Sequence, residues 1–304
     1  MFDSRLSVDV TYYSKNTKDA LIASVLPPSY GLVNTQLRNL GSVSNSGWEV
    51  GAKAQLLNRS WLAWDVLVSA SGNANRVESL GDTPAQIGTV TRTVAGYPIS
   101  GYWAQPITGW QDKNGDGYLT YYADTAKNEV FVADSAVFRG YGAPRYNTTI
   151  TNGFEFLNRR LRFTSMWDIR KGNLWYNNTD RIRCTRPNCS GRNNLRAEFV
   201  DQATNIAANE APQRTLDGFL QDGGFVRLRE ASLQYSFSPA LASRLLKARS
   251  LSVVLSGRNL KLWTRYRGAD PESAFNTTSG TEAPSEFQTI APPSYFIFRF
   301  NLGY

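Results

Sequence analysis

The sequence contains no histidine, and this absence removes several classes of function. A histidine-dependent catalytic triad, an HExxH zinc site and a haem held by a proximal histidine all need that side chain. Only 2 cysteines are present, so a metal site with four cysteine ligands is excluded as well. No acidic pair has a spacing that indicates acid–base catalysis. We therefore expect no enzyme activity, no catalytic residues and no organic cofactor.

Charge and long apolar runs are also scarce. Charged residues make up 19% of the chain, against about 25% in ordinary soluble domains. No uncharged apolar run reaches the roughly 18 residues that a transmembrane helix needs, and the N-terminus lacks the apolar segment of a signal peptide. The net charge is +8, but lysines and arginines are dispersed along the chain, so we expect no nucleic-acid partner.

Apolar and polar residues alternate in several stretches, and a period of two indicates strands with two different faces. In the C-terminal stretch, Phe296, Phe298 and Phe300 face away from Arg299 and Asn301. The same alternation recurs in Leu6–Tyr12, Leu62–Ala70, Leu161–Ile169, Ala231–Phe237 and Leu251–Leu255. A helical period is clear only at Ser238–Lys247, where proline suits the first turn. We expect a short helical connector between two strands there, and strand or loop elsewhere.

A soluble sandwich and a transmembrane barrel both fit this alternation, but three features favour the barrel. The strands are about ten residues long, which suits a tilted crossing of a bilayer. Aromatic residues, such as Trp263 and Tyr266, gather at strand ends, as in a membrane-interface girdle. Short links alternate with long ones, such as 81–146 and 172–224, as in outer-membrane proteins. We therefore predict an all-β fold, an antiparallel transmembrane β-barrel in contact with outer-membrane lipid.

Four stretches carry motifs that point to one family. They are Asn39–Glu49 (N-x-G-x-x-x-N-x-G-x-E), Gly96–Pro98 with Gly101 and Asp112–Leu119, Phe225–Tyr235 (F-x-R-L-R-x-x-x-L-x-Y), and Gly257–Leu260 with Gly268–Glu272. In this order, and followed by an amphipathic C-terminal strand, they resemble the C-terminal part of SusC/RagA-type TonB-linked outer-membrane receptors. The resemblance covers essentially the whole chain.

The resemblance implies an active transporter in the outer membrane of a Gram-negative-type bacterium. Such receptors have barrels of roughly 22 strands, and about eight to ten are recognisable here by their alternation. Residues 1–304 are then expected to be a C-terminal barrel segment, with the plug and N-terminal domains absent. The implied partners are the TonB system, a SusD-like surface lipoprotein and an oligosaccharide or peptide substrate. A passive porin, or a structural or adhesive barrel, is the alternative.

The sharpest local motif is a candidate calcium loop. Asp112, Asn114 and Asp116 occupy positions 1, 3 and 5 of an EF-hand-like loop, and the carbonyl of Tyr118 occupies position 7. Position 12 lacks the usual glutamate, and Asp124, one place later, is its expected substitute. The motif predicts structural Ca²⁺ binding, whereas the same residues also suit a turn that holds no metal.

The long links contain two further sets of candidate residues. In a cell-surface loop, Cys184 and Cys189 are expected to form a local disulfide, and two free thiols are the alternative. Four aromatic residues are candidates for stacking on a ligand, and membrane-interface anchoring explains them equally well. These residues are Trp103, Trp110, Trp175 and Tyr176.

On the polar face of one strand, Arg162, Asp168 and Arg170 are expected to form ion pairs.

Overall fold

The computed structural model describes residues 5–25, 35–81, 84–194, 196–275 and 285–304. Its helices are α1 (Asn178–Thr185), α2 (Ser190–Asn193), α3 (Phe199–Asn209) and α4 (Pro239–Leu246), with a 3₁₀ turn at Asp217–Phe219. None of the described helices combines the length and the apolarity needed to cross a bilayer. The strands are β1 (Leu6–Val25), β2 (Thr35–Asn58), β3 (Leu62–Ser79), β4 (Gln86–Ile87), β5 (Thr91–Thr93), β6 (Gly101–Ala104), β7 (Ile107–Trp110), β8 (Val130–Val132), β9 (Val137–Gly140), β10 (Tyr146–Phe156), β11 (Leu161–Lys171), β12 (Leu174–Asn177), β13 (Leu220–Asp222), β14 (Phe225–Ser236), β15 (Ser250–Thr264), β16 (Ser285–Glu286) and β17 (Tyr295–Gly303).

One large antiparallel sheet dominates the fold, and we call it the wall. It has 8 strands in the order β1-β2-β3-β10-β11-β14-β15-β17, so each strand pairs with the next wall strand along the chain. Within the described residues the sheet stays open, with β1 and β17 at its edges. The predicted all-β fold is confirmed, and the number of wall strands falls within the expected range.

The apolar face of the wall is exposed, as the alternation in the sequence predicts. Cross-strand pairing brings apolar side chains into a continuous row across seven strands, from β2 to β17. Ring stacking reinforces it, with centroids 5.5 Å apart between Trp64 and Phe154. Toward the β17 edge, Leu255 is 52% and Phe298 60% exposed. An exposed apolar band of this extent suits contact with lipid. The row consists of Leu57, Trp64, Phe154, Phe163, Leu233, Leu255 and Phe298.

The opposite face of the wall carries ion pairs. Arg162 lies 2.9 Å from Asp65 and 2.9 Å from Glu155, which links three neighbouring strands. The residue between them is Gly153, and a Cβ at this position would overlap the guanidinium of Arg162. The predicted ion pairing of the polar face is present here, and Asp168 likewise pairs with Arg170.

The one helix predicted from the sequence is present as α4. The hydroxyl of Ser238 accepts a hydrogen bond from the N–H of Leu241 at 3.4 Å, and Pro239 occupies the first turn. The helix ends at Lys247, which adopts the left-handed conformation at φ 52°. It connects β14 to β15, so its expected role as a short connector is confirmed.

The expectation that helical structure is confined to this connector is wrong. α1, α2 and α3 lie within the long link between β11 and β14. The buried face of α3 contains Ala203, Ile206 and Ala207, a spacing that fits a helical period. The signal was therefore present in the sequence, but it is short and lies among polar residues.

Candidate functional site

The long links of the wall all lie at one end. In an antiparallel meander, successive links alternate between the two ends of the sheet, so links 80–145, 172–224 and 265–294 share one end. The links at the other end are 59–61, 157–160 and 237–249. We call the described residues of the three long links the cap.

The cap has its own packed interior, formed between links that are distant in sequence. Tyr102 from the first long link packs with Tyr176 and Phe219 from the second. A second cluster joins Leu119 and Val130 of the first link to α3. The cap is therefore a small folded unit on the end of the wall, and its shape is set by contacts between links.

The predicted disulfide is present in the cap. Cys184 at the end of α1 bonds to Cys189, which precedes α2, and both side chains are buried in the first cap cluster. The bond closes a small ring and fixes the turn between the two helices. At α2, a Cβ on Gly191 would overlap the backbone of Asp201, so α2 and α3 meet at a glycine.

A buried ion-pair network attaches the cap to the wall. Arg227 of β14 donates to both carboxylate oxygens of Asp270, at 2.7 and 2.6 Å, and both side chains are 3% exposed. Arg229 likewise pairs with Glu272 and with Asp168 of β11. The two sequence motifs that contain these arginines and acids are thus bound to each other, a partnership that the sequence alone did not reveal.

A cavity of about 850 Å³ opens between the second and third links of the cap. Its lining includes carboxylates and guanidinium groups, four acidic residues against three arginines. They are Asp180, Asp201, Asp222, Glu286, Arg183, Arg265 and Arg267. The volume falls within the range of small-molecule sites, and the mixed charge suits a polar ligand.

Several of these charges already have partners inside the protein. Arg267 forms an ion pair with Asp201. Asp222 accepts a hydrogen bond from the N–H of Gly224 at 2.8 Å. Burial raises the pKa of Asp180, and the neighbouring carboxylates Asp201 and Glu286 raise it further, whereas Arg183 and Arg267 lower it. Asp180 therefore experiences both the carboxylates and the guanidinium groups of the cavity.

The predicted calcium loop is closed by backbone N–H groups that donate hydrogen bonds to side-chain oxygens. The Asp112 carboxylate accepts from the N–H of Gly115 at 2.7 Å and of Gly117 at 2.9 Å. Asp116 accepts from Tyr118 N–H at 2.8 Å, and the N–H of Asp116 donates to Asn114. These are the contacts expected of a tight polar turn.

The carboxylates of this loop do not converge on a common point. Asp124 accepts from the N–H of Ala126 at 3.0 Å, which caps its own turn. No group of three or more cysteine or acidic side chains that could hold a metal occurs in the described part of the chain. Instead, the buried carboxylate of Glu129 accepts from the N–H groups of Lys113 at 2.9 Å and Thr120 at 2.8 Å. Calcium binding stays a prediction.

The aromatic candidates for ligand contact fall into two groups. Trp175 and Tyr176 are each 5% exposed and pack inside the cap, so their position is that of core residues. Tyr266, which the sequence suggested as a membrane-interface residue, is buried in the same way. Trp110 is exposed, and Trp103 lies edge-on to Tyr97, with the guanidinium of Arg92 5.4 Å from its ring. Of the four candidates, Trp103 and Trp110 are the two whose side chains an external ligand could reach.

Comparisons with known proteins agree with this architecture. The TonB-dependent receptor P26 of Formosa agariphila is 23% identical over 301 residues, which cover 90% of this chain and 30% of the receptor. The TonB-dependent receptor P3 of the same organism is also 23% identical, over 100% of this chain and 33% of its own length. The resemblance to TonB-dependent receptors is thereby confirmed. No family model matches the chain.

Solved structures show the same fold. The RagAB peptide importer in its open-open state superposes with a TM-score of 0.71 at 19% identity, over 100% of this chain and 33% of that chain. A second structure, of the RagAB peptide transporter, gives a TM-score of 0.69 at 21% identity, over 89% of this chain and 31% of that chain. The chain spans about a third of the length of these TonB-dependent receptors. These relatives are receptors and importers. They confirm the location predicted for this chain, which is the outer membrane.

Proposed function

We propose that this chain forms a C-terminal part of the barrel of an active importer in the outer membrane. The substrate is a nutrient too large for porins, such as an oligosaccharide or a peptide. The observation that carries the proposal is the division of the molecule into a wall with an exposed apolar face and a cap with a polar cavity at one end. The wall provides the membrane barrel, and the cap provides surface for substrate capture.

Energy and substrate delivery would come from partners. The name of the relatives supports coupling to the TonB system, which would act through segments outside this sequence, such as a plug and an N-terminal region. The RagAB likeness supports a second component, a SusD-like surface lipoprotein, docked on the cap. Both partners belong to the whole importer and not to the wall alone.

The proposal is tested by uptake in cells. The probes are a fluorescent peptide mixture from digested casein and a fluorescent oligosaccharide mixture from partly hydrolysed starch. We expect one mixture to accumulate in cells that carry the receptor, and not in cells that lack it or cells without a working TonB. Accumulation that persists without TonB would indicate a passive porin. No dependence on the receptor would indicate an adhesive or structural role.

A matched variant separates capture from folding. Arg227→Met with Asp270→Leu replaces the buried pair that attaches the cap by apolar residues of similar size. Glu272, which also pairs with Arg227 at 3.1 Å, keeps Arg170 and Arg229 as partners. If the cap captures substrate, moving it should lower uptake while the amount of receptor in the outer membrane stays the same. Unchanged uptake would show that the position of the cap does not matter.

A further inference from the structure

The short links of the wall carry charge of one sign. Links 59–61, 157–160 and 237–249 together contain six basic residues and no acidic residue, whereas acidic residues outnumber basic ones in the three long links. The six are far apart in the chain, and the order of the strands brings them to one end of the sheet. We call these three links the basic end. Its basic residues are Arg59, Arg159, Arg160, Arg244, Lys247 and Arg249.

The charges of the basic end have few partners inside the protein. All six basic side chains are exposed. Arg159 has an acidic neighbour, Glu155, at 3.8 Å, and it also donates to the side-chain oxygen of Asn58 at 2.7 Å. Within the part of the chain that the structure describes, the other five side chains form neither an ion pair nor a hydrogen bond. They are therefore available to an anion from outside.

The apolar face of the wall extends to the same end. Leu251 lies opposite Leu302 on the face that carries the apolar row, near the ends of β15 and β17 that adjoin the basic end. Trp61 is 66% and Tyr304 76% exposed there, and such aromatic residues concentrate at the level of lipid headgroups. The basic end therefore lies at a membrane surface, and the short links of outer-membrane barrels face the periplasm.

The helix α4 combines exposed leucines with basic residues. Leu245 is 62% and Leu246 44% exposed. Arg244 lies in the last turn of the helix, and Lys247 and Arg249 follow in the chain. Helices that lie in a membrane surface have this composition, because their apolar side chains enter the bilayer while their cations attract anionic lipids.

An anionic phospholipid fits the basic end better than an acidic protein does. Either partner would neutralise the arginines. The lipid also accounts for the exposed leucines of α4, because acyl chains cover apolar side chains while the phosphate group accepts hydrogen bonds from the cations. A bilayer is already in contact with the neighbouring face of the wall, so no further component is needed.

We propose that the basic end binds the headgroups of anionic phospholipids in the leaflet that faces the periplasm. Its arginines and Lys247 contact the phosphate groups, while Leu245 and Leu246 lie among the first carbons of the acyl chains. The contact anchors this end of the barrel at a fixed depth. The inference goes beyond the proposed import function, because it depends on the wall as a membrane barrel and not on the transport of a substrate.

The test measures which lipid lies beside α4 in the whole receptor. Leu245→Cys is labelled with the fluorophore bimane, and the receptor is placed in vesicles of phosphatidylcholine and phosphatidylglycerol. One lipid or the other carries bromine, a quencher, on its upper acyl chain at the same mole fraction. We expect stronger quenching by brominated phosphatidylglycerol, equivalent to a local enrichment of about fivefold, and a smaller difference at high salt. The parent receptor treated with bimane gives the background.

Removal of charge gives a second readout. Arg160→Gln, Arg244→Gln, Lys247→Gln and Arg249→Gln, combined in the labelled receptor, should abolish the enrichment. The matched control replaces four exposed basic residues of the cap by glutamine and should leave the enrichment unaltered. These residues are Lys127, Arg186, Arg192 and Arg196.

Three results would overturn the proposal. Equal quenching by the two lipids would leave the basic end to an acidic protein partner. An enrichment that is insensitive to salt would not be electrostatic, and this comparison needs no charge variant, so it does not depend on the folding of one. An enrichment that survives the combined variant, or that falls equally in the cap control, would show that the basic end does not cause it.

Discussion

The wall and the cap expose similar apolar side chains to different surroundings. Leu255 on the outer face of the wall is 52% exposed, and Ile87 in the cap is 69% exposed. On the wall such residues recur at every second position and join into a row across the strands, whereas in the cap they form no such row. Exposure by itself therefore does not identify a membrane surface. The periodic arrangement on a sheet does, because lipid contacts a whole face.

The two regions also differ in what holds them together. Neighbouring wall strands pair in long antiparallel runs, and local alternation decides which face each residue occupies. The cap has short strands, short helices, a disulfide and contacts between distant links. The buried ion pairs at Arg227 and Arg229 connect the two regions. Variants of these residues are therefore expected to affect both the wall and the cap.

The largest effect is expected from breaking this junction. Asp270→Ala leaves the buried guanidinium of Arg227 without its bidentate partner, and we expect a loss of about 3–5 kcal/mol in the free energy of unfolding. The measurement is denaturant unfolding of the receptor in detergent. Glu230→Ala is the control, because its partner Arg258 is exposed and surface pairs contribute about 1 kcal/mol or less. Equal losses in both variants would contradict a special role for the junction.

The second largest effect is expected from a charge placed on the apolar row of the wall. Leu255→Arg places a guanidinium on the lipid face, which costs about 2–4 kcal/mol near the centre of a bilayer. Ile87→Arg adds the same group to an exposed cap residue in water, where the change should be within about 0.5 kcal/mol. Unfolding in lipid bilayers measures both. Similar costs at the two positions would mean that Leu255 does not face lipid.

Removing the disulfide should affect the cap and spare the wall. Replacing Cys184 and Cys189 by serine removes a small ring, for which chain entropy predicts a loss of about 2 kcal/mol. Because the bond lies in the cap, we expect faster tryptic cleavage at Arg183 and Arg192 and an unaltered temperature for unfolding of the barrel. The parent protein treated with reductant should behave like the serine variant. Destabilisation of the wall by the same amount would show that the two regions unfold together.

The smallest effect is predicted for calcium. If the loop at Asp112 binds Ca²⁺ as extracellular modules do, millimolar calcium should stabilise the cap by about 0.4–1.4 kcal/mol. The readout is the rate of cap proteolysis with calcium or with a chelator. Asp112→Ala should remove the difference, whereas Asp124→Ala should leave it intact, because Asp124 caps a separate turn. A parent protein that is insensitive to calcium would leave only the turn interpretation.

The sequence predicted the wall well, because its information is local. Alternation at Phe296, Phe298 and Phe300 needs no knowledge of distant residues, and the cross-strand register then follows from adjacent strands. The short helix α4 was predicted for the same reason, since its capping serine and its proline are neighbours in the chain.

Prediction was poorer in the cap. Trp175 and Tyr176 look like ligand contacts in the sequence, but both are buried. Tyr176 packs against the first long link and the 3₁₀ turn. Glu286 gave no signal at all, because a single glutamate in a polar stretch has many explanations. The burial of Glu286 depends on residues more than 100 positions away, such as Thr179, whose hydroxyl donates to its carboxylate.

The sequence by itself determined the antiparallel wall with one apolar face, and its motifs carried the resemblance to TonB-dependent receptors. The pairing of Cys184 with Cys189 also followed, since only 2 cysteines are present and they are close in the chain. The tertiary structure alone decided that the long links fold together into a cap, that Arg227 and Asp270 meet, and that charged residues of two links line one cavity. The physical reason is sequence separation: strand periodicity is written in neighbouring residues, whereas burial and charge pairing in the cap arise between links that meet only after the wall has formed.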